Sequence, residues 1–344
     1  MSGVTPSQLA ACPALRVRGL EVAVPASVGE ALAVRGIDLD VAGGETVAIV
    51  GESGCGKTLT ALAIAGLLPE GLRVPRGEIA LQGESIAGLS ESAWRAYRGA
   101  RIAMVFQDPT TALNPVHKVG SQIVEAILAH QRIARRDARN EALALLERVS
   151  LTPTARCFDA YPHQLSGGMR QRAQIAMAIA NRPAVLIADE PTTALDATVQ
   201  AGLLALLREL QLEAGMALVL ITHDLRLVTR NADRVVVMYA GRPVETGPTG
   251  DVLGNPQHPY TRALLRARPQ RRGVGGPRVP LVEIVGRVPP LASLGAGCAF
   301  AGRCEVATAA CTSVAPPARG DTRRTVWCHV QDSIDVGACE EASA

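Results

Sequence analysis

The stretch from Thr46 to Thr58 constrains this chain more than any other. The apolar, β-branched run Thr46-Val47-Ala48-Ile49-Val50 leads directly into Gly51-Glu52-Ser53-Gly54-Cys55-Gly56-Lys57-Thr58, and a helical pattern follows over residues 58–68. The spacing G-x-x-x-x-G-K-[ST] between a strand and a helix requires a tight turn whose successive N–H groups point inward, next to the partial positive charge of a helix N-terminus. Gly51, Ser53, Gly54, Cys55 and Gly56 would form such a cradle for phosphate oxygens, Lys57 would reach the β- and γ-phosphates, and Thr58 would place its hydroxyl on Mg²⁺. Cys55 occupies a variable position of the loop and reads as a small filler, not a reactive thiol.

The same alternation recurs downstream. Apolar strands at 185–188 and 217–221 are each followed by a helical pattern, at 197–212 and 225–230, which implies a parallel sheet covered on both faces. Between residues 102 and 175 the pattern changes to amphipathic helices at 120–130 and 136–149, read as a helical insertion in an α/β core. After about residue 241 the chain is rich in Pro, Gly and Arg, with Arg262, Arg266, Arg268, Arg271 and Arg272 ahead of Gly275 and Gly276, as expected of a linker into a small C-terminal module.

Composition narrows the classes. A chain of 344 residues with 48% hydrophobic residues has material for roughly two domains, which excludes disorder as a whole-chain reading. The net charge of +3 and an aromatic content of 3% argue against a polyanion partner and against a stacking platform for single strands, so no nucleic acid is expected. Apolar runs are too short to span a bilayer, and residues 1–11 lack the pattern of a secretory signal, which makes the cytosol, with reduced thiols, the default compartment.

The strand 185–188 ends in Asp189 and Glu190. In this position the first acid supports Mg²⁺ and the second orients or deprotonates a water for attack on the γ-phosphate. Between the phosphate loop and this pair stands Leu165-Ser166-Gly167-Gly168-Met169-Arg170-Gln171-Arg172, where Ser166, Gly167 and Gly168 precede a helical pattern and form a second anion site.

With that segment the chain resembles the ATP-binding subunits of ABC transporters, whose signature begins Leu-Ser-Gly-Gly. Gln107, in Phe106-Gln107-Asp108-Pro109, matches the family's Q-loop; Ala194-Leu195-Asp196 matches its D-loop; and His223, in Thr222-His223-Asp224, matches its switch histidine. The resemblance implies an α/β P-loop NTPase (RecA-like) core with a helical signature subdomain. It also implies catalytic roles for Glu190, His223 and Gln107, and Mg²⁺ held by Thr58, Gln107 and Asp189. In the family, the signature of one subunit closes over ATP held by the phosphate loop of another, so a head-to-tail pair is expected, with permeases docked on the helical insertion. One departure stands out: residues 1–50 contain no Phe, Tyr or Trp to stack on adenine, which leaves Val24 or a neighbour in that place.

Phe106 to Pro115 and His258-Pro259-Tyr260-Thr261 look like the branch that serves dipeptide, oligopeptide and nickel importers, and in particular like its D-type ATPase subunits. The branch implies an ATPase domain over residues 1–245 with its helical subdomain at about 108–175, a linker at 246–280 and a Cys-rich C-terminal extension at 281–335. Four cysteines in that extension, Cys298, Cys304, Cys311 and Cys328, are spaced C-x5-C-x6-C-x16-C, unlike the pairs expected of structural zinc. Branch members with this pattern hold a [4Fe-4S] cluster on four thiolates, which makes these four the expected ligands, with zinc or free thiols as alternatives. His329 beside Cys328 reads as an adjacent surface histidine, and Cys12, Cys157 and Cys339 read as incidental.

The resulting expectation is an ATP-hydrolysing importer subunit for peptides or a related small solute, at the cytoplasmic face of the inner membrane. Its expected partners are a second, different ATPase, two permeases and an extracytoplasmic binding protein. The alternatives are a nickel or metal-chelate importer of the same branch, a soluble ABC ATPase acting on ribosomes or DNA, and a zinc-stapled regulatory ATPase.

Overall fold

The structure, a computed structural model, describes residues 12–26, 29–193, 195–267 and 283–330, the side chains of residues 110 and 111 excepted. Residues 1–11, Ala194, Arg268, Arg271, Arg272, Gly275, Gly276, Cys339 and the end of the expected extension at 331–335 lie outside the described residues.

Strand β1 (Leu15–Pro25) pairs antiparallel with β2 (Glu30–Val41). β3 (Thr46–Val50) is buried at all five positions, as a strand covered on both faces must be, and runs into α1 (Lys57–Ile64). β4 (Arg73–Leu81) and β5 (Glu84–Ser85) then return to β1 and complete a four-stranded antiparallel sheet in the order β2-β1-β4-β5. The alternation of strand and helix foretold only a parallel sheet, because these early strands mix exposed and buried residues around bulges instead of showing a clean apolar run.

A short helix α2 (Glu91–Trp94) leads to β6 (Ile102–Val105). The helical region follows as α3 (Pro109–Ala112), α4 (Val119–Leu128), α5 (Arg135–Arg148), α6 (Thr154–Asp159) and α7 (Gly167–Ala178). Gly120 is required here because a Cβ would sit 2.2 Å from the Phe158 ring, whose centroid lies 4.1 Å from the Arg139 guanidinium. The α/β pattern resumes with β7 (Val185–Asp189), α8 (Ala197–Ala214), β8 (Ala217–Ile221), α9 (Leu225–Asn231), β9 (Arg234–Tyr239) and β10 (Arg242–Pro248). Helices α10 (Thr249–Gly254), α11 (Pro259–Arg266) and α12 (Ala309–Ser313) precede β11 (Ala318–Gly320) and β12 (Thr325–Trp327).

The larger sheet has the order β11-β12-β10-β9-β3-β8-β7-β6, parallel from β9 to β6 and antiparallel from β9 outward. Its strands divide their side chains by parity, as a pleated strand must. Leu186, Ala188, Leu218 and Leu220 face the helical region and α8, whereas Val185, Ile187, Val219 and Ile221 join the core under the antiparallel sheet. A third core gathers Val235, Val237, Tyr239, Tyr260 and Phe300, so the C-terminal residues pack directly on the sheet that begins with the phosphate loop strand.

Candidate functional site

In a parallel sheet the loops at the carboxyl ends of the strands share one edge, where ligands bind. β3, β8, β7 and β6 are adjacent, so the residues just beyond them converge. These are the 51–58 loop, His223, the pair Asp189 and Glu190, and Gln107.

The loop after β3 needs its glycines for geometric reasons. Gly51 has φ 156° and a Cβ there would lie 2.3 Å from the Met238 carbonyl oxygen, while Gly54 and Gly56 have φ 79° and 101°. Lys57 is buried and its Nζ donates to the Gly51 and Glu52 carbonyls at 2.8 and 3.1 Å, so the ammonium closes the loop on itself. Cys55 is fully buried beneath it and burial pushes its thiol up from the usual range, in keeping with a filler. Ser53 and Gly54 are exposed at the loop's outer side.

Asp189 ends β7 with 2% exposure. Burial raises its carboxyl above the ordinary carboxylate range, against the pull of the Thr58 hydroxyl and of Lys57. Its Oδ1 is buried without a hydrogen-bond partner. An orphaned carboxylate oxygen beside a threonine hydroxyl is the oxygen donor set a hard divalent cation takes, so Asp189 and Thr58 fit Mg²⁺.

Glu190, the next residue, adopts φ 45°. That left-handed turn is uncommon for a glutamate and costs on the order of 1 kcal/mol or more. It swings the side chain from the strand onto the sheet edge, where the carboxylate gathers three neighbours. Gln107 Nε2 donates to Oε2 at 3.1 Å, Thr193 Oγ1 donates to the same oxygen at 3.0 Å, and His223 Nδ1 lies 3.1 Å from Oε1. Since an ionised carboxylate only accepts, the imidazole proton sits on Nδ1. Four residues separated by as much as 116 positions in sequence are thus one hydrogen-bonded group. Thr193 was not foreseen; its place three residues after Glu190, in the turn between β7 and α8, was the available signal.

Ser166 caps α7, its Oγ accepting from the Met169 N–H at 3.3 Å, with Gly167 and Gly168 opening the helix. Ser166 and Gly167 are exposed, and at Gly168 a Cβ would lie 2.8 Å from a Val199 methyl carbon. Asp196 caps α8 by accepting from the Thr198 and Val199 N–H groups, both at 3.0 Å. Val24 lies half-buried near the end of β1.

The expected [4Fe-4S] cluster is not supported, and neither is zinc. Among the described residues no group of three or more His, Cys, Asp or Glu side chains is placed to hold a metal ion. Cys298, Cys304, Cys311 and Cys328 do line one cavity, but its volume is about 10 Å³, room for no more than a water molecule. Burial pushes the thiols of Cys298, Cys304 and Cys328 up from the usual range. Cys311 Sγ instead lies 3.5 Å from the Thr308 N–H, capping α12, and His329 Nε2 lies 3.0 Å from the Val314 carbonyl oxygen.

Residues beyond the motifs also bear on the site. The Tyr260 hydroxyl accepts from the Glu52 N–H at 2.9 Å, and Arg303 grips the Glu52 carboxylate with two hydrogen bonds of 2.6 and 3.0 Å. Glu245 on β10, fully buried, pairs with Arg324 at 2.6 Å and accepts from the Gln257 and His258 N–H groups, both at 3.0 Å. His258 then caps α11, accepting from the Tyr260 N–H on Nδ1, and burial pulls its imidazole down to about 3.

Fold and edge together define a phosphate-binding α/β cassette. The ABC transporter family matches residues 34–193, and the oligopeptide/dipeptide transporter C-terminal region matches residues 244–311. The chain is 46% identical over 321 residues to the dipeptide transport ATP-binding protein DppD of Bacillus subtilis, covering 92% of this chain and 95% of that protein. It is 44% identical over 328 residues to the probable D,D-dipeptide transport ATP-binding protein DdpD of Escherichia coli, covering 94% and 99%. The ATP-binding cassette MJ0796, solved as a dimer in a post-hydrolysis state bound to ADP and Pi, superposes with a TM-score of 0.62 at 26% identity, over 68% of this chain and 98% of that one. The chain belongs to the ATP-binding subunits of the ABC transporter family and is an ATPase of that class. Among the described residues no helix is long and apolar enough to cross a membrane.

Proposed function

We propose that this ATPase drives uptake of dipeptides or oligopeptides through a membrane importer. Two observations support the substrate class: the C-terminal match to oligopeptide and dipeptide transporters, and the near full-length similarity to dipeptide transport proteins. The working assembly in this reading is a head-to-tail pair with a second, different ATPase, on two permeases at the cytoplasmic face of the membrane, fed by an extracytoplasmic binding protein. The chain divides into an ATPase unit at 1–245, with its helical subdomain at about 108–175, a linker at 246–280 and a Cys-rich extension at 281–335.

The observation that carries the chemistry is the Glu190 carboxylate held by Gln107, Thr193 and His223, one residue past the orphaned Asp189. In this proposal Gly51, Ser53, Gly54, Cys55 and Gly56 cradle the phosphates and Lys57 swings from the Gly51 and Glu52 carbonyls to the β- and γ-phosphate oxygens. Thr58, Asp189 and Gln107 hold Mg²⁺, which supplies charge neutralisation to the triphosphate. Glu190 accepts the proton of the attacking water, and a general base is worth roughly 10²- to 10⁴-fold in rate. His223, held against Glu190 through Nδ1, faces the γ-phosphate. Ser166, Gly167 and Gly168 close over the nucleotide held by the partner subunit.

The Lys57→Ala protein should lose ATP consumption and ATP-driven association while keeping its melting temperature. Consumption at the parent rate would overturn the assignment of the site.

A further inference from the structure

Glu52 is the first variable residue of the phosphate loop, and nothing in the motif assigns it a part. Its main chain and its side chain are both held from the far end of the protein. Tyr260, fully buried, takes the Glu52 N–H on its hydroxyl, and Arg303, 251 residues away, takes the carboxylate in a two-pronged pair. The Arg303 side chain is only 7% exposed, against 27% for Glu52. Every nitrogen of its guanidinium is engaged: Nε donates to the Val285 carbonyl at 2.8 Å, Nη2 also donates to the Ile284 carbonyl at 3.0 Å, and Nη1 also donates to the Tyr239 hydroxyl at 3.2 Å. A guanidinium fixed at five points is a preorganised fork, and it presents its charge to a carboxylate in a single geometry.

The position of Glu52 gives this pair a consequence. The Glu52 carbonyl is one of the two acceptors on which Lys57 rests. An unpaired carboxylate on this loop would stand close to an incoming triphosphate and repel it, in a partly buried setting where charges are weakly screened. Paired with Arg303, the same residue is neutral to its surroundings, while its N–H is held by Tyr260 and its carbonyl by Lys57.

We propose that Arg303 is a positioning residue for the nucleotide site: acting through Glu52, it cancels the negative charge beside the phosphate cradle and fixes the loop's entry peptide, so that affinity for a nucleoside triphosphate depends on the docked C-terminal segment. This inference rests on the reading of residues 51–58 as the ATP site. It makes the segment after residue 283 part of nucleotide loading.

The test uses the full-length chain in four forms: parent, Arg303→Gln, Glu52→Gln and the double variant. ATP affinity is measured by equilibrium titration, and KM and kcat by steady-state hydrolysis at low and high salt. The Arg303→Gln protein should bind ATP roughly tenfold more weakly, with KM raised in step and kcat within about twofold, and salt should narrow the defect. The double variant should recover to within about threefold of the parent, because the charge that repels the triphosphate is gone. Glu52→Gln alone should bind ATP at least as well as the parent, and this holds the inference to account should Arg303→Gln fail to fold. Parent-like affinity in Arg303→Gln, a defect that persists undiminished in the double variant, or a tenfold loss in Glu52→Gln would each overturn the inference while leaving the ATPase assignment standing. A parent that binds no ATP would overturn both.

Discussion

Two regions of this molecule hold glutamates at its interior edges, and they do so by opposite means. At the carboxyl edge of the parallel strands, Glu190 is held by an amide, a hydroxyl and an imidazole. Elsewhere on the same sheet, Glu52 in the phosphate loop and Glu245 on the antiparallel strand β10 are each clamped by an arginine. A permanent cation at hydrogen-bond distance fixes the carboxylate in one geometry, which suits a structural strut. An amide, a hydroxyl and an imidazole instead place the Glu190 carboxylate beside Asp189 without an arginine. The difference separates a group placed for chemistry from groups placed for attachment.

The comparison can be broken first on the attachment side, where the largest stability effect is expected. Replacing Glu245→Gln leaves Arg324 without its buried partner and offers an amide N–H to the Gln257 and His258 donors. The cost should be about 3–5 kcal/mol, read as a drop in denaturant midpoint, and a loss below about 1 kcal/mol would show the pair to be dispensable. The next effect is acid sensitivity on the same side. His258 is neutral when folded, with its imidazole at about 3, and ordinary, near 6.5, when unfolded. The unfolded chain therefore binds the extra proton between those values, so its contribution is complete above pH 6.5 and falls by about 1.4 kcal/mol for each pH unit below it. A His258→Asn protein should show a flatter decline of stability between pH 6.5 and 5 than the parent; an identical decline would remove His258 as the cause.

The smallest effect belongs to the chemical side. Burial raises the Asp189 carboxyl, so its contribution to the stability of the nucleotide-free protein is full below the ordinary carboxylate range and is lost as pH rises through the folded value. Asp189→Asn should therefore melt slightly higher than the parent at neutral pH, by up to about 1 kcal/mol, while losing Mg²⁺-dependent hydrolysis. A lower melting temperature would sharpen the comparison by showing that the orphaned oxygen has a structural partner.

The two regions also differ in how much of them the sequence disclosed. The phosphate loop, the Asp189–Glu190 pair and the Ser166-Gly167-Gly168 turn were legible because each is a contiguous pattern tied to a strand end or a helix start. Gln107 and His223 were placed with them by the resemblance to the family's Q-loop and switch histidine, and they meet in the structure because the strands before them are neighbours in a parallel sheet. No such rule ties Arg303 to Glu52 or Arg324 to Glu245: those contacts depend on where a Pro- and Gly-rich segment returns to the sheet, and β10 and β12 pair at separations of 79 and 81 residues (Thr246 with Thr325, Glu245 with Val326). The antiparallel sheet of β1, β2, β4 and β5 escaped because its strands are irregular and partly exposed. The cysteines mark the opposite limit. Their spacing and the resemblance together pointed to a cluster, whereas among the described residues no group of three or more His, Cys, Asp or Glu side chains is placed to hold a metal ion.

The central claim, that the Glu190 carboxylate just beyond β7 carries the chemistry, is tested most directly by Glu190→Gln, with turnover and ATP affinity measured on the same preparation. Turnover should fall by roughly 10²- to 10⁴-fold, with ATP affinity and melting temperature close to those of the parent. Hydrolysis at the parent rate would contradict the claim.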